Sequence, residues 1–184
     1  MPIVYSFHSH HFEEVGMLIG ALILPLYLAS SMTDVRSIRA QDLSALKEVI
    51  DSTQLFPSDQ LDEMAAEYFK GECSREIWLT KEVEDIPIAI AYCAPEKMTE
   101  GTYNLLLIAV HKNHQGQGIG AEMMLFLEEY LSSIGSRILI VETSSLPEYE
   151  LTRRFYSKMK YHQQAVIPEF YQEGEDKVVF WKKL

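Results

Sequence analysis

The segment from Val35 to Arg39 alternates apolar and polar positions, as a half-buried strand does. Asp42 reads as the N-cap of a helix from Leu43 to about Asp51, with Leu43, Leu46, Val49 and Ile50 on one face. Phe56-Pro57-Ser58 breaks the pattern. Ser58 then reads as the cap of a second helix to Phe69 or Lys70, with Leu61, Met64, Ala65 and Tyr68 inward and Gly71 ending it. Glu76 to Lys81 and Ile86 to Cys93 read as strands joined by a polar turn at Glu84-Asp85. A strand from Tyr103 to Val110 follows, then a glycine-rich turn and an amphipathic helix to about Ser133. Arg137 to Glu142 reads as a strand, Tyr149 to Met159 as a helix, and Ala165 to Phe170 with Lys177 to Trp181 as a closing hairpin. That order predicts an α/β domain around a mixed sheet. No repeat, low-complexity tract or second domain interrupts it.

Ahead of this pattern lies a different one. From Val15 to Met32 no residue is charged and nearly all are apolar. As a helix the stretch would span about 27 Å, just enough for a hydrocarbon core. Pro25 in its middle weakens that reading. A cleaved signal peptide is disfavoured, because Glu13 and Glu14 precede the stretch and no Lys or Arg does. If it spans a membrane, Arg36, Arg39 and Lys47 place the following domain on the cytoplasmic side. The competing reading is an over-long start, with Met32 opening the domain proper. The division is therefore an extension, 1–31, and a domain, 32–184. His8, His10 and His11 lack a flanking scaffold and read as a polar head rather than as metal ligands.

Composition narrows the function. The 184 residues suit one hydrophobic core, with 47% hydrophobic and 23% charged residues. A net charge of −11 argues against nucleic acid, whose phosphates demand clustered Lys and Arg. An acidic surface attracts cationic partners such as amines, and equally serves solubility alone. Cys73 and Cys93 are too few and unpatterned for a disulfide framework or a zinc site, and no metal is expected. A cytoplasmic location is the simplest reading.

The chemistry concentrates between Leu105 and Ser133. Gly116, Gly118 and Gly120 open a helix whose first N–H groups lack partners inside it. With no β-carbons there, the backbone can approach an anion that the helix N-terminus favours. This is a phosphate cradle. A Walker loop is rejected, since no lysine follows Gly120. Gly116 to Ala121 does match Gly-x-Gly-x-x-Ala, with Glu142 near the place of a ribose-binding acid. However, His111 to Gln115 intervene between strand and first glycine, and only forty-two residues follow Glu142. A dinucleotide binder stays a minor alternative.

The stretch Ile108-Ala109-Val110-His111, three residues, then Gln115-Gly116-Gln117-Gly118-Ile119-Gly120 resembles the acetyl-CoA signature of the GNAT acetyltransferase superfamily. Thr152 to Tyr161, containing Phe155-Tyr156, is similar to that family's Phe-Tyr helix, and the resemblance covers about 35–184. Two departures stand out: Tyr149 where relatives often have Asn, and Lys160-Tyr161 where they have Gly-Phe. The segment from Ser144 to Glu148 is also slightly longer than in many relatives. The resemblance implies a mixed, mostly antiparallel (α+β) sheet flanked by helices, with two central parallel strands splayed apart. It implies acetyl-CoA as acyl donor and an amine acceptor, a small molecule or a protein.

The same resemblance assigns roles. Backbone N–H groups from Gln115 to Ala121, including Gln117 and Ile119, would hold the pyrophosphate. The pantetheine arm would bond to the main chain of Ile108 and Val110 around Ala109, with Val110 N–H on the thioester carbonyl. Tyr156 would protonate the leaving thiolate, its phenol being near a thiol in pKa, and Glu142 would be the general base, with Glu148 a weaker candidate. Gln115 positions the loop, while His111 and His114 read as surface residues. The acceptor site would lie between Asp42–Lys70 and Ile167–Lys177, where Phe56, Tyr68, Phe170 and Tyr171 offer an apolar or cation-binding slot. The alternative is a non-catalytic acyl-CoA sensor. A homodimer is open beside a monomer.

Overall fold

The computed structural model describes residues 34–71 and 75–184. The apolar stretch 15–32, the three N-terminal histidines and Cys73 lie outside the described residues. Among the described residues, eleven strands and α-helices follow in order. These are β1 (Val35–Ser37), α1 (Leu43–Thr53), α2 (Gln60–Phe69), β2 (Ile77–Val83), β3 (Ile86–Pro95), β4 (Thr102–Val110), α3 (Ile119–Ser133), β5 (Ile138–Ser144), α4 (Glu150–Lys158), β6 (His162–Gln172) and β7 (Glu175–Lys183). One seven-stranded sheet runs β1-β2-β3-β4-β5-β7-β6, and only β4 and β5 pair in parallel. The other neighbours are antiparallel, so connections inside each half are short turns. This is the mixed, mostly antiparallel sheet that the sequence implies. It is also not the doubly wound parallel sheet that a dinucleotide fingerprint needs, and that reading falls.

The core explains why β3 and β4 read as near-continuous apolar runs: both faces are covered. Ile90, Ala91, Leu107 and Ala109 are buried in the middle of the sheet. Leu46, Val49, Ile50, Leu61 and Ala65 bring α1 and α2 onto it, while Met123, Met124, Leu127 and Leu131 bring α3. Trp78 stacks on Tyr92 with ring centroids 4.0 Å apart. Cys93 lies in this core, where burial pushes its thiol up in pKa.

Two caps differ from expectation. Asp42 does not cap α1 through its side chain; it ends a short 3-10 turn, and its carboxylate accepts from Arg39 N–H at 2.6 Å. Arg36 holds the same carboxylate at 2.7 and 2.9 Å and reaches Glu82 as well. A buried charge with a guanidinium partner outcompetes a cap that α1 can do without. Ser58 likewise makes no side-chain cap: α2 begins after Asp59, and Ser58 contributes its carbonyl to Leu61 N–H. The closing hairpin is longer than the apolar runs suggest, because polar residues at both strand ends still complete the ladder.

Candidate active site

The parallel ladder between β4 and β5 starts at Thr102 with Ile138 and stops at Leu105 with Val141. Beyond it β4 continues to Val110 bound only to β3, and β5 continues to Ser144 bound only to β7. The two strands therefore part company at the centre of the sheet. His111 N–H donates to Ile88 carbonyl at 2.8 Å, so strand alternation turns the N–H groups of Ile108 and Val110 to the other edge, which β5 has left. Ala109, between them, is fully buried against β3.

The glycine turn stands directly after this open edge. A 3-10 turn from Lys112 to His114 carries the chain out of β4, with His111 Nδ1 accepting from Asn113 N–H at 3.3 Å. Gln115 then folds back, its Nε2 donating to Val110 carbonyl at 3.0 Å. Gly116 and Gly118 have φ of 75° and 88°, the left-handed region in which a β-carbon is strained. A β-carbon at either would meet nothing within 4 Å, so the space above the turn is open for a ligand. Gly120 serves packing instead. Inside the first turn of α3, it seats the helix within ordinary contact of the Phe155 ring and Val110. The first intrahelical bond runs from Glu122 N–H to Gly118 carbonyl, leaving the N–H groups of Ile119, Gly120 and Ala121 without helical acceptors. Ile119 and Gly120 are buried, whereas Gln117 is exposed and bonds back to Asn113 carbonyl at 3.3 Å. Glu122 would oppose an anion here, but Lys81 from β2 holds its carboxylate at 2.7 Å.

Tyr156 is 3% exposed, wedged among Phe155, Tyr161 and Phe180 with centroids 5.3 to 5.8 Å away. Burial raises its phenol above the ordinary tyrosine value. That moves it away from a thiol's range, against expectation, and favours hydrogen-bond donation to a thiolate over complete proton transfer. Glu142 follows Val141, the last β5 residue in the parallel ladder. Its Oε2 accepts from Lys177 Nζ at 2.9 Å, and that ammonium sits 3.5 Å from the Phe170 ring centroid. The β6 bulge between Ile167 and Gln172 carries Phe170 over the pair. Tyr171 lies in the same bulge with its hydroxyl buried; burial and then the Glu142 charge raise its pKa.

Other sequence candidates separate from this site. Phe56 and Tyr68 pack against the core, Tyr68 beside Phe69 and Trp78. His111 and His114 flank the turn with centroids 5.9 Å apart. Glu148 sits in a 3-10 turn ahead of α4. Among the described residues no group of three His, Cys, Asp or Glu is placed to hold a metal, and no helix is long and apolar enough to cross a membrane. Sequence reasoning missed Lys177. Its signal was a lone basic residue at the start of an otherwise apolar run, Val178 to Trp181, on the face that Val179 and Trp181 share rather than the core face of Val178 and Phe180.

Comparison with known proteins fits this geometry. An uncharacterized N-acetyltransferase of Methanocaldococcus jannaschii is 34% identical over 89 residues, which is 47% of this chain and 54% of that protein. The chain thus matches about half the length of that curated relative. A crystal structure of a GNAT-family protein from Desulfovibrio desulfuricans superposes with a TM-score of 0.76 at 29% identity, covering 81% of this chain and 97% of that one. An acetyltransferase structure from Salmonella typhimurium with acetyl-CoA gives a TM-score of 0.67 at 16% identity, covering 82% and 92%, a likeness of fold. The family model described as acetyltransferase (GNAT) matches residues 44–161, from α1 through the Phe-Tyr helix. The chain belongs to the acetyltransferase (GNAT) family.

Proposed function

We propose that this chain transfers an acetyl group from acetyl-CoA directly to a primary amine within a ternary complex. The observation that carries this reading is the parting of β4 and β5 beside the glycine turn. An extended pantetheine arm can complete the bare edge at Ile108 and Val110 as a strand would, while the diphosphate lies on the turn. That the Salmonella structure holds acetyl-CoA on a similar fold supports the donor.

In this reading the amine nitrogen attacks the thioester carbonyl, and Val110 N–H stabilises the oxygen as charge develops. An ammonium acceptor first gives one proton to Glu142, which passes it to solvent. Once the neutral amine has attacked, the C–S bond breaks, Tyr156 donates a hydrogen bond to the departing thiolate, and the second proton shed by the nitrogen neutralises that sulfur. No nucleophilic side chain is needed, in keeping with a core position for Cys93. The acceptor is a small-molecule or protein amine. A cytoplasmic location, anchoring through 15–32 if that stretch spans a membrane, and the division into 1–31 and 32–184 belong to the same reading.

The test is calorimetry with acetyl-CoA, followed by a free-thiol assay across an amine panel. Binding with amine-dependent CoA release supports transfer. Binding without release by any amine supports a non-catalytic acyl-CoA sensor, a reading that the pairing of Glu142 with Lys177 favours. No heat with any CoA compound overturns both.

A further inference from the structure

Lys177 does something unusual for a lysine: it is 8% exposed, and its ammonium is held by one carboxylate and one aromatic face. An ammonium 3.5 Å from a ring centroid is in full cation–π contact, and removal from water strengthens that attraction. Together the Glu142 carboxylate and the Phe170 ring recognise a compact primary ammonium on an unbranched methylene stem, because that is the group they hold. Their position is equally informative. Glu142 is the first β5 residue beyond the parallel ladder, so the pair sits where the two central strands separate. It is also reached from the face opposite Tyr156, since Val141 and Phe180 are register partners on the Tyr156 side and Glu142 alternates away from them. One carboxylate oxygen, Oε2, takes the lysine, and Phe170 is 47% exposed on its bulge, so the seat is open to solvent on that side.

We propose that Glu142 and Phe170 form the seat of the acceptor's ammonium group, and that Lys177 fills this seat until an acceptor displaces it. The acceptor class is then a linear alkylammonium, such as a lysine side chain or a diamine, rather than a zwitterionic amino acid whose carboxylate would face Glu142. Lys177 acts as a built-in competitor that keeps the carboxylate paired while the site is empty. The name acceptor rests on the transfer reading above; the seat does not, and it is tested by binding alone.

The probe is n-butylammonium chloride, with 1-butanol as its neutral counterpart, on the full chain labelled with 13C at lysine Cε. The Phe170 ring current shifts the Lys177 ε-methylene signal, which is assigned by its absence in Lys177→Arg. Saturation with n-butylammonium is expected to return that signal to the ordinary lysine position, while 1-butanol leaves it in place. Lys177→Met is expected to bind n-butylammonium at least tenfold more tightly than the native chain, and Lys177→Met with Glu142→Gln to lose the gain. A Lys177 signal that stays put at saturating probe overturns the proposal, as does equal affinity in Lys177→Met, and either result makes Lys177 a fixed strut. Acetyl-CoA calorimetry on the same sample separates the two failures: lost acetyl-CoA binding refutes the transfer reading, and an unmoved Lys177 refutes the seat.

Discussion

Tyr156 and Glu142 stand on opposite faces of the sheet at the end of β5. The Tyr156 ring packs 5.8 Å from Phe180, whose register partner is Val141, and Glu142 is the next residue along. Alternation sends its side chain through to the other side, where Lys177 and Phe170 meet it. An acid and a base separated by the sheet can act on one bond only if the reacting atoms lie in the sheet's own plane. The gap between β4 and β5 is where that plane is open. A thioester laid along the edge of Ile108 and Val110 would offer its sulfur to one face and its carbonyl carbon to the other.

Tyr156→Phe removes one hydroxyl from a buried ring and leaves the surrounding aromatic contacts in place. Turnover is expected to fall about 10²-fold with acetyl-CoA affinity unchanged, as for loss of a hydrogen-bond donor aimed at developing charge. Because burial raises the phenol above its ordinary value of 10.0, the native rate should show no falling limb from this group below pH 10. Steady-state kinetics beside calorimetry check both statements. Unchanged turnover would refute the role.

Gln115→Ala cuts the bond between the glycine turn and the end of β4. The loss of one partly buried hydrogen bond costs about 1 kcal/mol, or roughly fivefold. That loss is expected in acetyl-CoA affinity rather than in turnover at saturation, since Gln115 orders the loop and touches no reacting atom in this reading. Titration calorimetry measures it directly.

Gly118→Val imposes a β-branched residue on a φ of 88°. Strain of about 1–2 kcal/mol should lower the melting temperature. The larger effect is expected on the ligand, because the new side chain would stand in the open space above the turn. Thermal protection by acetyl-CoA should vanish. A variant that melts lower yet keeps full protection would show that the diphosphate lies elsewhere.

The order of elements was legible because each has its own period. The first strand (though it ends at Ser37 rather than Arg39), the helical face of Leu43 to Ile50 and the apolar runs of β3 and β4 all appear in the fold. The turn was legible for a similar reason: Gly116 and Gly118 stand where a positive φ excludes most other residues. What escaped was carried by ion pairs between distant parts of the chain. Lys81 with Glu122, Lys177 with Glu142, and Arg36 with Glu82 join residues that sequence spacing does not connect. Local propensity made Asp42 and Ser58 look like caps; the Arg36 guanidinium takes the Asp42 carboxylate, and Ser58 closes a turn ahead of α2 through its carbonyl alone. Phe170 and Tyr171 were recognisable as aromatic, but only the β6 bulge puts them beside Glu142.

Asp42 offers the clearest test of such a tertiary contact. Its hydrogen bond with Arg36, aided by Arg39 N–H, lowers its folded-state pKa below the ordinary value of 3.8. A depressed carboxylate contributes stability that is fully present above the unfolded pKa and is lost as pH falls through the folded one. Native melting temperatures should therefore hold through neutral pH and decline below about 3.8, where this carboxylate contributes to the decline. Asp42→Asn keeps the shape but loses the charge that Arg36 binds, costing about 2 kcal/mol at pH 7. For a chain of this size that is about 4–8 °C. The two melting curves should converge as pH drops toward 2, because protonation gives the native chain the same neutral side chain. A constant gap across that range would mean that Asp42 supports the turn into α1 by shape alone, through Arg39 N–H, and that its charge contributes nothing.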